Sequence, residues 1–363
     1  MSGQARGPGA WSLRALLRSA EPIYAAVVSL RNRRFDRGKN VRRLPKPVIS
    51  VGNLTAGGTG KTPVVRWLCE KLRDQGHHPA VLMRGYRAKP GERGDEQTML
   101  EGYLNTDRTN LEQSPVIVHA NPVRFDGGNE VLRNHPETDI FVLDDGFQHR
   151  KLYRDFDLVL IDAACPFGYG HVHPRGLLRE PVRGLKRADA VLITRADAAN
   201  AATLADIEGV IRKWNSAVPI YRARHAHTGL RQTDANGAIH VQPTSELTGR
   251  QIFAFCGIGR PESFMKQLSA LSGVMVGQKI FPDHHAYTGD DLTEIQKQAT
   301  AVGADVLLTT EKDWVKIAPL AMKCELPVWR VDLAIDFAGG DEMKLLEQML
   351  TFGRQETTPN PHP

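Results

Sequence analysis

The sequence predicts an α/β fold: a doubly wound, mostly parallel sheet followed by a second, smaller α/β domain. From Pro47 onward, short β-branched runs alternate with helical patterns, as parallel strands joined by crossover helices require. A glycine-rich turn, GNLTAGGTGKT at 52–62, separates one such run from a helical stretch. The length of 363 residues, with 41% hydrophobic and 24% charged residues, suits a globular chain of two domains and excludes a collagen-like or disordered one.

The chain opens on a basic segment. Residues 1–46 contain eleven Lys/Arg against two acids, a charge of +9, so the rest of this +6 chain sums to −3. Positive charge confined to one end argues against a body that coats nucleic acid. Leu13, Leu16, Leu17, Ala20, Ile23, Tyr24, Val27 and Val28 recur at helical spacing opposite Arg14, Arg18 and Glu21, which predicts an amphipathic helix. Its apolar run from Ile23 to Leu30 is far shorter than the roughly 20 residues a spanning helix needs. Arg31, Arg33, Arg34, Arg37, Lys39, Arg42 and Arg43 follow it. Two readings fit: an interfacial helix with a polybasic segment drawn to anionic lipid, or a first helix packed on the domain with a solvated basic turn behind it. An RNA-binding arm fits less well, because only one aromatic, Phe35, stands among the arginines.

The expected domain runs are 1–46 for this segment, 47–220 for the doubly wound domain, 221–243 for a ribbon linker, 244–353 for the smaller domain and 354–363 for a polar, proline-rich tail expected to be disordered. Strands are predicted at Val48–Val51, Ala80–Met83, Val116–Val118, Ile140–Leu143, Leu158–Ile161 and Val191–Thr194. The clearest helix is Lys61–Arg73, with Val64, Val65, Leu68 and Leu72 on one face and Gly76 as its stop. The turn signal Asp234–Gly237 between short alternating runs reads as a two-stranded ribbon. Ile252–Phe255, Val306–Thr309 and Val328–Val331 read as strands of the smaller unit, with Leu292–Val302 as a helix. Cys69, Cys165, Cys256 and Cys324 are scattered without a C-x-x-C pair and read as reduced cytosolic thiols.

The turn at 52–62 ends like a phosphate-binding loop, but Thr55 stands where the pattern G-x-x-x-x-G-K-[ST] opens on glycine. A strand before it and a helix after it supply the context such a loop needs. Thr55, Ala56, Gly57, Gly58, Thr59 and Gly60 then form a nucleotide cradle, Lys61 reaches the β- and γ-phosphates, and Thr62 binds Mg²⁺. Ile140–Leu143 ends in Asp144 and Asp145, a second element suited to holding the metal. Together the two elements predict a P-loop NTPase-like fold that binds a nucleotide.

Three further motifs are ambiguous. Thr194-Arg195-Ala196-Asp197 imitates the element by which GTPases read guanine, with Arg195 in place of the lysine, and Thr310-Glu311-Lys312-Asp313 is a second imitation. His171-Val172-His173 puts two imidazoles on one face of an extended segment without a third metal ligand at a convincing spacing. Asp283-His284-His285, after Phe281-Pro282, offers a carboxylate that could orient an imidazole.

In order along the chain, VGNLTAGGTGKTP, RGYR (84–87), GDE (94–96), LDDGFQHR (143–150), LLREP (177–181), FCGIGRPESF (255–264), FPDHHAY (281–287) and TEKD (310–313) resemble the tetraacyldisaccharide 4′-kinase family of lipid A biosynthesis over roughly residues 10 to 335. In that family Ser or Thr is common where Thr55 sits. The resemblance implies ATP-dependent phosphorylation of the 4′-hydroxyl of a tetraacylated glucosamine disaccharide 1-phosphate to a bisphosphorylated lipid A precursor, lipid IVA. It also implies work at the cytoplasmic face of a Gram-negative inner membrane, which favours the interfacial reading of the first helix.

Carried over residue by residue, the resemblance implies a catalytic Asp95 handling the hydroxyl proton, with His284 chosen over His285 as its partner. Lys61 stabilises the transferring phosphoryl group, and Thr62, Asp144, Asp145 and Glu180 form the Mg²⁺ set, their division unresolved. Two departures stand out: Gln97 replaces the proline of the family's GDEP, and His171 and His173 interrupt the stretch before LREP. Rival readings are a P-loop GTPase of the maturation or metal-delivery type, against which Arg195 speaks, and a non-catalytic membrane module, which needs neither Asp95 nor Asp144.

Overall fold

The computed structural model describes residues 7–85, 94–106, 114–233, 239–259, 261–321 and 324–354. The chain forms two units. The first carries α1 (Pro8–Asp36), β1 (Val48–Asn53), α2 (Lys61–Asp74), β2 (Pro79–Met83), the end of α3 (Asp95–Glu101), β3 (Ile117–Ala120), α4 (Arg124–Asn134), β4 (Ile140–Asp144), β5 (Phe156–Asp162), β6 (Ala190–Thr194), α5 (Ala201–Trp214) and the start of β7 (Ile220–Thr233). The second holds the first residues of α3, the rest of β7, β8 (Ile239–Gln242), β9 (Gln251–Cys256), α6 (Pro261–Leu268), β10 (Val274–Ile280), α7 (Gly289–Ala301), β11 (Val306–Thr310), α8 (Glu311–Ala321) and most of β12 (Val328–Phe337). The chain re-enters the first unit at Ile335 and ends there on α9 (Asp341–Arg354).

In the first unit the strands run in the order β7-β6-β5-β1-β4-β2-β3, and every pairing is parallel. The sequence-predicted strands all appear, within a residue or two at each end. β1, β2, β5 and β6 are buried throughout, so their runs carry no polar alternation. Because β1 lies between β4 and β5, successive connections diverge at its C-terminal end, the place where open parallel sheets bind their ligands. α2 covers one face with Val64, Val65, Leu68 and Leu72, and stops before Gly76, whose φ of 84° only glycine adopts without cost.

The second unit's sheet runs β10-β9-β11-β12 in parallel and continues through the later half of β7 to β8. β7 and β8 pair antiparallel, Leu230 opposite Gln242, in a two-stranded ribbon. The turn signal at 234–237 lies outside the described residues. β7 nevertheless starts as a full member of the first sheet, pairing Val191 with Ile220, so the ribbon is an extension of a core strand.

The C-terminal boundary also differs from the sequence division, which ran the smaller domain to residue 353. α9 buries Leu345, Leu346 and Met349 in the core that holds Trp67 and Leu68, while Trp67 Nε1 donates to Glu342 Oε1 at 2.8 Å. The α9 pattern announces an apolar face but not which sheet covers it. Of the tail expected to be disordered, residues 355–363 lie outside the described residues.

α1 departs from its predicted single greasy face. Val28 is buried and Tyr24 and Ala25 pack on the first unit, whereas Leu13, Leu16, Ile23, Val27 and Leu30 form an exposed stripe, each 56–69% accessible. Polar contacts fix the inward face: Glu21 Oε1 accepts from Val172 N at 3.2 Å and lies 3.1 Å from His171 Nδ1, and Tyr24 Oη donates to the Arg179 carbonyl at 3.0 Å. Among the described residues, no helix is long and apolar enough to cross a membrane.

Leu345 tests the C-terminal boundary. It is fully buried, so Leu345→Ala should cost about 2–5 kcal/mol of stability, read as a lower urea midpoint for the transition that reports Trp67. A midpoint unchanged from the parent would mean that α9 does not belong to this core.

Candidate active site

The loop after β1 is shaped by backbone requirements that the sequence meets. Gly57 (φ 117°) and Gly60 (φ 82°) occupy the left-handed region, and Gly60 caps α2 without any side-chain hydrogen bond. The first amides of α2 thus have no side-chain competitor for an anion. Thr55 is not among the residues of positive φ, and it bridges Leu178 antiparallel, with Ala56 N donating to Leu177 O and Arg179 N to Leu54 O, both at 2.7 Å. A residue held in such a bridge needs no glycine, which accounts for the missing first glycine of the motif. The Thr59 hydroxyl is buried in the loop without a hydrogen-bond partner.

Lys61 opens α2. Its Nζ lies 3.3 Å from Asn53 Oδ1 and 3.5 Å from Asp145 Oδ1. Asn53 in turn donates from Nδ2 to Thr55 O at 2.8 Å, so the last residue of β1 braces both the loop and the lysine. β4 brings the acids to the same edge, since Val51 pairs with Asp144. Asp145 follows in the left-handed region at φ 53° and accepts two bonds from Arg179 Nη1, at 2.8 and 2.7 Å. Burial pushes the Asp145 carboxyl up, but Lys61 and Arg179 outweigh it and hold the group below the usual carboxylate range. Thr62, Asp144 and Asp145 are hard oxygen donors of the kind Mg²⁺ takes alongside substrate phosphates. Among the described residues no group of three or more His, Cys, Asp or Glu is placed to hold a metal ion.

Glu180, the fourth residue of the expected set, is bonded to protein groups. It is 1% exposed, and its oxygens accept from Arg187 Nη2 at 3.0 and 2.9 Å, Gln148 Nε2 at 2.9 Å and Asn32 Nδ2 at 3.0 Å. It is an anchor between α1 and the segments at 148 and 187. Sequence reasoning assigned no role to Arg179, Asn53 and Gln148, although they stand inside the quoted motifs LLREP, VGNLTAGGTGKTP and LDDGFQHR.

The other motifs resolve separately. His171 is taken up by Glu21 and Arg175, and the His173 ring sits edge-on to Tyr24 with centroids 5.9 Å apart, so the pair docks α1. Arg195 turns toward Asp162 and the Gly58 carbonyl, away from the role of a base-reading side chain. In the second unit His285 is committed: its Nε2 is 3.1 Å from Asp291 Oδ2 and its ring stacks on Phe281 at 4.5 Å. His284 is exposed, in the left-handed region at φ 63°, with Nε2 3.3 Å from Lys312 Nζ and 4.0 Å from Asp283 Oδ2. Within TEKD, Asp313 is buried and accepts from Gly257 N at 2.9 Å and Thr310 Oγ1 at 2.7 Å. Asp95 begins α3; its side chain lies outside what the structure describes.

Beside the acids of β4 lies a positive field. Burial first, then Arg124, Arg154, Lys151 and Arg84, push His149 down to about 4. The unfolded chain, with histidine near 6.5, takes up that proton first, so this contribution to stability is complete above about 6.5 and is lost as pH falls toward 4. His149→Gln should therefore flatten the acid limb of a stability-against-pH curve in that window. An equally steep limb in the variant would place the proton uptake elsewhere.

Comparison with known proteins shows the family. The family model for tetraacyldisaccharide-1-P 4′-kinase matches residues 13–352. The chain is 39% identical over 332 residues to the tetraacyldisaccharide 4′-kinase of Syntrophus aciditrophicus, covering 84% of each, and 35% identical over 328 residues to that of Halothermothrix orenii, covering 84% of this chain and 83% of the relative. Among solved structures it resembles "apo" form LpxK from Aquifex aeolicus in complex with ATP, at 26% identity and a TM-score of 0.71 over 94% of this chain and 99% of that one. The chain belongs to the tetraacyldisaccharide-1-phosphate 4′-kinase family, kinases of lipid A precursor synthesis, and not to the GTPases.

Proposed function

We propose that the chain moves the γ-phosphoryl group of ATP to the 4′-hydroxyl of a tetraacylated glucosamine disaccharide 1-phosphate, at the cytoplasmic face of a bacterial inner membrane. The observation that carries the reading is Lys61, set at the uncapped start of α2 and steadied by Asn53 and Asp145. Thr55 to Thr62 cradle the phosphates with backbone amides, and the Lys61 ammonium faces charge developing on the transferred group. Thr62, Asp144 and Asp145 would hold Mg²⁺, which when bound neutralises charge on the β- and γ-phosphates.

Asp95 accepts the hydroxyl proton, and His284 positions or tunes that carboxylate. Support for His284 over His285 is the commitment of His285 to Asp291 and Phe281. Asp95→Ala should lower kcat by about 10² to 10⁴, the usual worth of a general base, with little change in KM for ATP. Lost ATP affinity at unchanged kcat would make Asp95 a nucleotide or metal contact instead.

A substrate with four acyl chains stays in the bilayer, so the enzyme must reach it there. The exposed stripe of α1 supplies apolar area, and the arginines after Leu30 supply attraction of about 1 kcal/mol per basic residue near an anionic surface. Replacing Ile23, Val27 and Leu30 together with Ser should abolish co-sedimentation with anionic phospholipid vesicles while leaving thermal stability unchanged, because these side chains are already in water. High salt should weaken binding only in part. Vesicle binding that survives the triple change would return α1 to a purely structural role.

A further inference from the structure

The buried contacts of Arg195 are unusual for the motif it interrupts. It stands in the left-handed region at φ 52°, which costs a non-glycine residue free energy unless its surroundings enforce it. Its Nε donates to Asp162 Oδ1 at 2.9 Å, and its Nη2 donates both to Asp162 Oδ2 and, at 2.9 Å, to the Gly58 carbonyl. Both charged side chains are nearly sealed from water, 9% and 1% accessible. One residue earlier, Thr194 Oγ1 donates to the Thr59 carbonyl at 2.9 Å. The parallel register brings Asp162 opposite Thr194, so the ends of β5 and β6 deliver these groups side by side.

A trans peptide is planar, with its C=O and N–H pointing in opposite directions. Drawing the Gly58 carbonyl toward Arg195 turns the Thr59 amide the other way, and drawing the Thr59 carbonyl toward Thr194 does the same for the Gly60 amide. Gly58 has open space around its α-carbon and lacks a side chain, so nothing local fixes this orientation. We infer that Arg195, held by Asp162, and Thr194 are positioning residues that preset two backbone amides of the phosphate loop toward the nucleotide phosphates. Neither reads the base. Arginine is suited to the task because its planar fork reaches a carboxylate and a carbonyl at once, which an ammonium cannot do in one plane. The inference rests on the reading that this loop holds the phosphates of ATP.

Removing Arg195 alone would strand a buried carboxylate and endanger folding. The informative variant is therefore the neutral pair Arg195→Gln with Asp162→Asn, compared with Thr194→Val and with Lys61→Ala as a control. Steady-state kinetics with ATP and the tetraacylated disaccharide 1-phosphate in detergent micelles would separate the two KM values. Losing a charge-assisted bond to the loop should raise KM for ATP about tenfold or more in the double variant, and about threefold in Thr194→Val, with KM for the lipid unchanged. An unchanged ATP KM in the folded double variant overturns the inference, as does a parallel rise of both KM values with a lowered Tm. If the double variant does not fold, Thr194→Val decides by the same measure. Normal turnover in Lys61→Ala would show instead that the loop itself has been misread, and the inference would fall with it.

Discussion

All the chemistry of the first unit hangs on one constraint: β1 is paired in parallel with β4 on one side and β5 on the other, with β6 beyond β5. Parallel pairing sends every C-terminal strand end to the same edge. The phosphate loop leaves β1 there, Asp144 and Asp145 leave β4, Asp162 leaves β5, and Thr194 and Arg195 leave β6. Four segments separated by up to 140 residues of chain therefore converge without any of them being long or irregular. Gly52 and Phe147 show how closely the backbones approach, since a Cβ at Gly52 would stand 2.6 Å from that of Phe147. Any side chain there would push β1 away from the segment that follows β4.

The edge so formed is a place of balanced charge. Lys61 and Arg179 face Asp145, Arg195 faces Asp162, and Arg187 faces Glu180. A buried pair such as Arg195–Asp162 contributes little net stability, because desolvation offsets much of the attraction, but breaking it leaves a costly lone charge. The effect of these pairs is positional. Each pair ties separate segments together: Asp145 to the segment carrying Arg179, Asp162 through Arg195 to the phosphate loop, and Glu180, which also binds Asn32, to α1. Through Glu180 and Tyr24 the helix with the exposed apolar stripe is bonded to the segment that also secures Asp145. In the proposed reading, the part of the enzyme that meets the bilayer and the part that steadies the catalytic lysine meet at two consecutive residues, Arg179 and Glu180.

Two similar strings met different fates, which shows where motif matching stops. Thr194-Arg195-Ala196-Asp197 and Thr310-Glu311-Lys312-Asp313 both sit at the end of a parallel strand and both imitate a base-reading element. In the first, the basic residue is drawn inward by Asp162 and the threonine binds the phosphate loop. In the second, the acid is drawn inward to Gly257 N and Thr310, and Lys312 faces Asp283. Which member turns inward depends on the neighbouring strand: β5 ends in a carboxylate, whereas β9 is followed by a bare amide at Gly257.

By itself the sequence determined the parts. The β-branched runs were long and uniform enough to place every strand of the first sheet but β7 within a residue or two. The glycines and Lys61 marked the loop because only those residue types serve a left-handed turn that leads into an anion-binding helix end. The pair Asp144-Asp145 was legible for the same reason, a carboxylate being conspicuous after four apolar residues. Tertiary structure decided what no local pattern encodes. It split the apolar residues of α1 between an inward face and an outward stripe, because helical periodicity reports a greasy face but not how many partners share it. It returned α9 to the first core, closed Glu180 off behind Arg187, Gln148 and Asn32, and turned Arg195 from a base toward a loop carbonyl. Each outcome depended on a partner 30 to 280 residues away in the chain, and burial against such a partner is a property of the folded sheet rather than of any window of sequence.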